Sequence, residues 1–114
     1  MIDVMPLRPQ DRARWEVLAR GYKAFYRTDV DQAGYEEAWR RLNGNEGLFG
    51  LGAHIDGNLV GITHYLFHKS VWMGDVCYLQ DLFTDEAARG RGVARALIGA
   101  VAADARSRRP PRLY

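Results

Sequence analysis

Two groups of residues in this chain have the types and spacing to do chemistry. The first is Arg89-Gly90-Arg91-Gly92-Val93-Ala94. It follows an apolar run from Cys77 to Thr84 that reads as a buried strand, and it leads into Val93 to Val101, whose apolar residues recur at helical spacing. The leading amides of a helix have no internal partners, and the helix dipole makes that end positive. Two glycines let an anion approach the main chain there, and Arg89 and Arg91 add charge, so a pyrophosphate fits the loop. The second group is Asp81 with Gln80 beside it, set in the middle of the apolar run. An unpaired charge in that setting is costly, so Asp81 needs either a partner or a function.

Three kinds of phosphate loop compete for the glycines. A Walker loop ends in Gly-Lys-Ser/Thr, whereas Lys23 and Lys69, the only lysines here, lie elsewhere. A dinucleotide fingerprint needs a third Gly or Ala where Arg95 stands, and an acidic residue about twenty positions on, where this chain is rich in Pro and Arg. The third kind fits. Arg-x-x-Gly-x-Ala at Arg89–Ala94, preceded by Leu-Gln-Asp-Leu-Phe-Thr-Asp-Glu-Ala-Ala, resembles the acetyl-coenzyme A motif of the GNAT superfamily of N-acetyltransferases.

That resemblance implies acetyl transfer from acetyl-coenzyme A to a primary amine, by direct attack in a ternary complex. It implies that Leu82, Phe83 and Thr84 offer backbone groups to the pantetheine arm. It assigns the pyrophosphate to Arg89, Gly90, Arg91, Gly92, Val93 and Ala94. Tyr78-Leu79-Gln80-Asp81-Leu82-Phe83 is also similar to the Tyr-Leu-Glu-Asp-Phe-Phe pattern of the spermidine/spermine acetyltransferase-like branch, which uses the Glu as a base through water and the Asp in substrate binding. Gln80 stands at the Glu position and can bond a water or an amine without accepting a proton as a base. The catalytic pair implied is therefore Asp81 with Gln80, and the base role falls to Asp81 or to ordered water. By the same resemblance the first two helices cover the acceptor. Tyr22, Phe25 and Tyr26, with Trp39 and Trp72, are aromatic faces that would attract a cation there, although such a stripe at helical spacing also serves as core. Tyr22, Tyr26 and Trp72 are the acceptor-binding residues expected.

Composition bounds the rest. At 114 residues, 47% hydrophobic and 26% charged, the chain is expected to be one domain with one core, residues 1–114. No run approaches the length of a membrane span, and the N-terminus lacks the basic and apolar regions of a secretory signal, so a cytoplasmic protein is expected. Cys77 is the only cysteine, which excludes an internal disulfide and a Cys-based zinc site. Flanked by Val76 and Tyr78, it reads as a small buried hydrophobe in place of a nucleophile. His54, His64 and His68 lack helical ligand spacing, though His64 and His68 share a strand face; no metal site is expected. The net charge of +2 hides an asymmetry. Residues 1–88 carry nine Lys/Arg against thirteen Asp/Glu, and residues 89–114 carry seven Arg against Asp104 alone. A basic end suits a phosphorylated cosubstrate, and Arg106-Ser107-Arg108-Arg109 has none of the interleaved aromatics of a nucleic-acid surface.

The elements that must position these residues follow from periodicity. Ile2–Leu7 reads as a strand. Pro9-Gln10-Asp11 opens a helix with Trp15, Leu18, Ala19, Tyr22, Phe25 and Tyr26 on one face. A second helix spans Gln32–Leu42, with Tyr35, Ala38, Trp39 and Leu42 inward. Leu48–Ile55 and Leu59–His68 are strands joined through Asp56-Gly57-Asn58, a hairpin signal. Lys69–Asp75 reads as a loop, Val76–Thr84 as a third hairpin-linked strand, and Gly92–Arg106 as the last helix. The class is α/β of the α+β type: a mixed, mostly antiparallel sheet flanked by helices, in the order β-α-α-β-β-β-α.

Arg108-Arg109-Pro110-Pro111-Arg112-Leu113-Tyr114 breaks the last helix and begins a further strand, where the family continues with more elements. The sequence therefore reads as an N-acetyltransferase domain incomplete at its C-terminus. Its Val76–Thr84 edge would be open, which favours a homodimer with Arg112–Tyr114 near the contact. Alternatives are a non-catalytic module that binds coenzyme A or a partner, and an inactive fragment.

Overall fold

The computed structural model describes residues 1–108 and 113–114. Four antiparallel strands lie side by side in the order β1 (Ile2–Pro6), β2 (Leu48–Ile55), β3 (Asn58–Ser70), β4 (Gly74–Thr84). Helices α1 (Arg12–Phe25) and α2 (Gln32–Asn43) cross from β1 to β2, and α3 (Val93–Ser107) follows β4. The expected order of elements holds throughout. No helix among the described residues is long and apolar enough to cross a membrane.

Local chemistry explains the joints. Asp31 caps α2 by accepting from the Gly34 amide at 2.8 Å. Asp56 and Gly57 adopt φ of 52° and 80°, the pair of left-handed residues that a two-residue hairpin turn requires, and Ile55 pairs with Asn58 across it. Before α1, the Asp11 carboxylate accepts from the Arg8 amide at 2.9 Å and from the Arg8 guanidinium, and it also meets His54 Nε2 at 3.2 Å. Burial opposes charge on Asp11, but those bonds outweigh it and hold the carboxyl at about 2.

The sheet buries both faces. On one, α1 and α2 supply Trp15, Leu18, Ala19 and Tyr35 against Leu59 and Ile62. On the other, α3 packs Val93, Leu97, Val101 and Ala105 over Leu51, Ala53, Tyr65 and Cys77. Gly61 lets α3 come close: a Cβ there would lie 2.5 Å from Val93 Cγ1. The Cys77 thiol is fully buried, and burial, with the Asp104 carboxylate nearby, pushes it up, as suits a packing residue.

Three expectations are corrected. The loop expected at Lys69–Asp75 is shorter: β3 and β4 run on to Ser70 and Gly74, leaving a turn of Val71, Trp72 and Met73. Phe25 and Tyr26 are not core: they are 70% and 60% exposed and line an open cavity beside Leu82, Phe83 and Thr84. The β4 edge is partly covered, since Leu113 bridges Cys77 in parallel and Tyr114 exchanges backbone bonds with Cys77 and Leu79 at 3.0 and 2.6 Å. Residues 109–112, which include the arginine placed near a dimer contact, lie outside the described residues.

Candidate active site

The turn from β4 into α3 builds the first half of the site. The Asp85 amide donates to Val60 O at 2.8 Å, and the Asp85 carboxylate is held by Arg14 of α1 at 2.6 Å, so the turn is tied to β3 and to α1. Gly90 and Gly92 adopt φ of 82° and 83°, the left-handed region that glycine enters without strain. Gly92 caps α3, whose first internal bond runs from the Ala96 amide to Gly92 O at 3.0 Å. The amides before Ala96 therefore have no acceptor within the helix. A Cβ on either glycine would meet nothing within 4 Å, so the space in front of these amides is open to an anion. Val93 contributes only its backbone, because its side chain is core.

Below this loop lies a cavity of about 350 Å³, lined by Tyr22, Phe25, Tyr26, Leu82, Phe83, Thr84, Arg89 and Ala94. Arg89 donates through Nε to Thr84 O at 3.3 Å and stands over the Phe83 ring at 5.6 Å, which brings its charge to the rim. A chain with an anionic end and an apolar arm fits this donor set and these walls. The residues thus fit coenzyme A.

A second cavity of about 170 Å³ adjoins the first and shares Tyr22 and Phe83 with it. Asp81, Gln80, His64, Trp15, Tyr35 and Lys23 are among its walls. A third hollow of about 160 Å³ shares His64, Gln80 and Asp81 and adds Arg41, Leu42 and Leu48. Pairing of β3 with β4 passes from His64↔Asp81 to Tyr65↔Leu79, so Gln80 is the extra residue of a β-bulge. The bulge stands at the junction of these hollows and turns Gln80 and Asp81 into them.

Asp81 has a partner. His64 Nδ1 lies 2.8 Å from Asp81 Oδ2, and the Trp15 indole N–H donates to His64 Nε2 at 3.0 Å. Burial opposes charge on Asp81, but the bond to His64, with Tyr22 and Lys23 close by, outweighs it and holds the carboxyl below its ordinary range. Burial, reinforced by Asp81, pushes the Tyr22 hydroxyl up, so Tyr22 stays protonated. The result is an anion framed by aromatic rings, an arrangement that attracts an ammonium group.

Most of the residues expected from sequence converge here, but Tyr26, expected at the acceptor, lines the first cavity and not those around Asp81, Arg91 lines none of the three, and Trp72 lies apart. Trp72 is 90% exposed at the tip of the β3–β4 turn and lines none of these cavities. Seven residues of extended strand, roughly 23 Å, separate Gly74 at that turn from Asp81. Missed were Trp15, read as core, and His64, whose role depends on a cross-strand register that no local signal reveals.

The chain matches the model of the acetyltransferase (GNAT) family over residues 14–114. It is 31% identical over 117 residues to the D-amino-acid N-acetyltransferase HPA3 of Saccharomyces cerevisiae, covering 99% of this chain and 73% of that protein. Solved structures share the fold. The ribosomal-protein-alanine N-acetyltransferase of Brucella melitensis biovar Abortus 2308 superposes with a TM-score of 0.83 at 23% identity, over 99% of this chain and 78% of its own. The aminoglycoside enzyme AAC(6')-Iy, in complex with a bisubstrate analog of coenzyme A, superposes with a TM-score of 0.85 at 19% identity, over 100% and 78%.

Proposed function

The chain belongs to the acetyltransferase (GNAT) family and is an N-acetyltransferase that uses acetyl-coenzyme A; from that premise we propose that its acceptor is a small primary amine that also carries a negative charge, an amino acid in the leading case. One observation carries this reading. The cavity below the Arg89–Ala94 loop and the cavity around Asp81 meet at Tyr22 and Phe83. A thioester threaded through the first would present its carbonyl to an amine held in the second.

The charges support the acceptor class. Asp81 offers an anion to the ammonium, while Lys23 lines the same cavity and offers a cation to a carboxylate; Arg41 lines the adjoining hollow but is paired through Nε with Glu37 at 3.3 Å. The relative HPA3 is named for amino acids. The likeness of Tyr78–Phe83 to the polyamine branch supports only the ammonium half, because Lys23 in the wall of the pocket disfavours a second ammonium there. A second reading, an aminoglycoside acceptor, has the fold of AAC(6')-Iy behind it and meets the same objection.

Bound acetyl-coenzyme A supplies an activated acetyl thioester. Asp81 pairs with the acceptor's ammonium and orients its nitrogen toward the shared wall. An alkylammonium has a pKa near 10, far above a carboxyl held low, so Asp81 captures and aligns the amine and the proton leaves to solvent. Gln80 hydrogen-bonds the amine or a water beside it. One backbone amide of Leu82–Thr84 would polarise the carbonyl; the C–N bond forms as the C–S bond breaks, and the second proton of the amine ends on the departing thiolate, which leaves as free coenzyme A.

The assembly we infer is a homodimer. Val71 and Trp72 at the sheet's end are 88% and 90% exposed, and Tyr114, stacked on Tyr78 of β4, is exposed too, apolar surface suited to a second copy. Light scattering decides it.

The test of function is transfer to a panel of D- and L-amino acids, a polyamine and an aminoglycoside. Turnover of the amino acids above the others is expected. Exclusive turnover of the polyamine would overturn the acceptor class.

A further inference from the structure

Asp81 is held by a side chain whose own orientation is set one step further away. Trp15 on α1 has only an N–H to offer, and it points at His64 Nε2 at 3.0 Å. A donor aimed at that nitrogen requires a lone pair there. The ring proton therefore sits on Nδ1, which faces Asp81 Oδ2 at 2.8 Å and donates to it. Both partners are well shielded, His64 and Asp81 side chains being 16% and 19% exposed. The same ring tilts against Trp15 with centroids 6.0 Å apart, so packing and hydrogen bonding agree.

Building on the acceptor reading above, we propose that His64 is a positioning residue: Trp15 locks its Nδ1–H tautomer, and that N–H anchors one oxygen of Asp81 so that the other is presented to the acceptor amine. His64 cannot serve as the base in this arrangement, because the nitrogen that would take a proton is already engaged by the indole. The remaining charged and titratable groups facing Asp81 are Tyr22 and Lys23 from α1, with Arg41 from α2 in the adjoining hollow. None of them can replace the His64 bond on Oδ2, which comes from the paired strand.

The inference has a readout that does not depend on turnover. In the protein enriched with nitrogen-15, long-range proton–nitrogen spectra should show His64 protonated on Nδ1, and Trp15→Phe should release it to a mixture of tautomers. Carbon-13 titration of the Asp81 carboxyl should move its midpoint up in His64→Leu, because a bond that favours the charged form is gone. His64→Asn, which keeps an N–H near the Nδ1 position, should restore most of that shift. In kinetics, His64→Leu should raise the acceptor KM several-fold, leave coenzyme A affinity unchanged, and be rescued by His64→Asn. An Nε2–H tautomer in the parent protein would overturn the proposal. So would an Asp81 midpoint identical in parent and His64→Leu, or an Asn variant no better than Leu. If the spectra come out as expected and no amine is acetylated, the positioning stands and the acceptor reading falls.

Discussion

Phe83 fills the space that a side chain at position 21 would need: a Cβ on Gly21 would lie 2.9 Å from Phe83 Cζ. This contact sets how closely α1 approaches β4, and Phe83 is the wall common to both cavities. Gly21→Ala gains helix propensity of about 1 kcal/mol, which offsets much of the cost of displacing the ring. Thermal unfolding should therefore shift by only a few degrees, while KM rises for both acetyl-coenzyme A and the acceptor. A variant with unchanged KM values would separate Phe83 from substrate binding.

The glycine loop gives a second prediction. Gly92 is left-handed and faces open space, so Gly92→Asp puts a carboxylate and a Cβ in front of free amides. Calorimetric titration with coenzyme A should show affinity reduced roughly a hundredfold, the size of a lost charge-assisted anion contact together with repulsion. Arg89→Ala, which removes only a rim charge, should cost roughly tenfold at low salt and less at high salt. Parent-like affinity in both variants would move the pyrophosphate elsewhere.

Acid stability should depend on Asp11. Its carboxyl is held at about 2, below its ordinary value near 3.8, by Arg8 and His54 against the opposing effect of burial. A depressed carboxyl contributes stability that is complete above the unfolded value and is lost as pH falls through the folded one. That contribution is about 2 kcal/mol at neutral pH. Asp11→Asn should unfold at lower urea concentration near pH 7 and lose this difference from the parent by about pH 2. A constant gap across that range would show that the network does not titrate.

These predictions rest on features that were unequally legible in the sequence. The Asp56-Gly57 turn and the strand–glycine–helix junction are local, so residue types alone announced them. The loop before β4 was legible but not its extent, because nothing in the composition of Lys69–Asp75 says that the strands run on to Ser70 and Gly74 and leave Trp72 exposed at the tip, away from the acceptor cavity. Helical periodicity put Phe25 and Tyr26 on one face with the core residues of α1, but spacing does not tell how far along a helix the packing extends, and both are exposed. The His64–Asp81 pair joins residues 17 apart through a register offset by the Gln80 bulge, and Trp15 reaches His64 across 49 residues. Such contacts belong to tertiary packing and leave no periodic trace.

The most direct test of the account pairs two numbers on one variant, Asp81→Asn, which keeps the shape of the side chain and removes its charge. Measured together with the parent, it should lose roughly a hundredfold in kcat/KM for an amino-acid acceptor, since an ammonium–carboxylate contact in a sheltered site contributes a few kcal/mol, while its coenzyme A Kd stays within about twofold. Parent-like kcat/KM in a folded Asp81→Asn protein would contradict the assignment of the amine to Asp81.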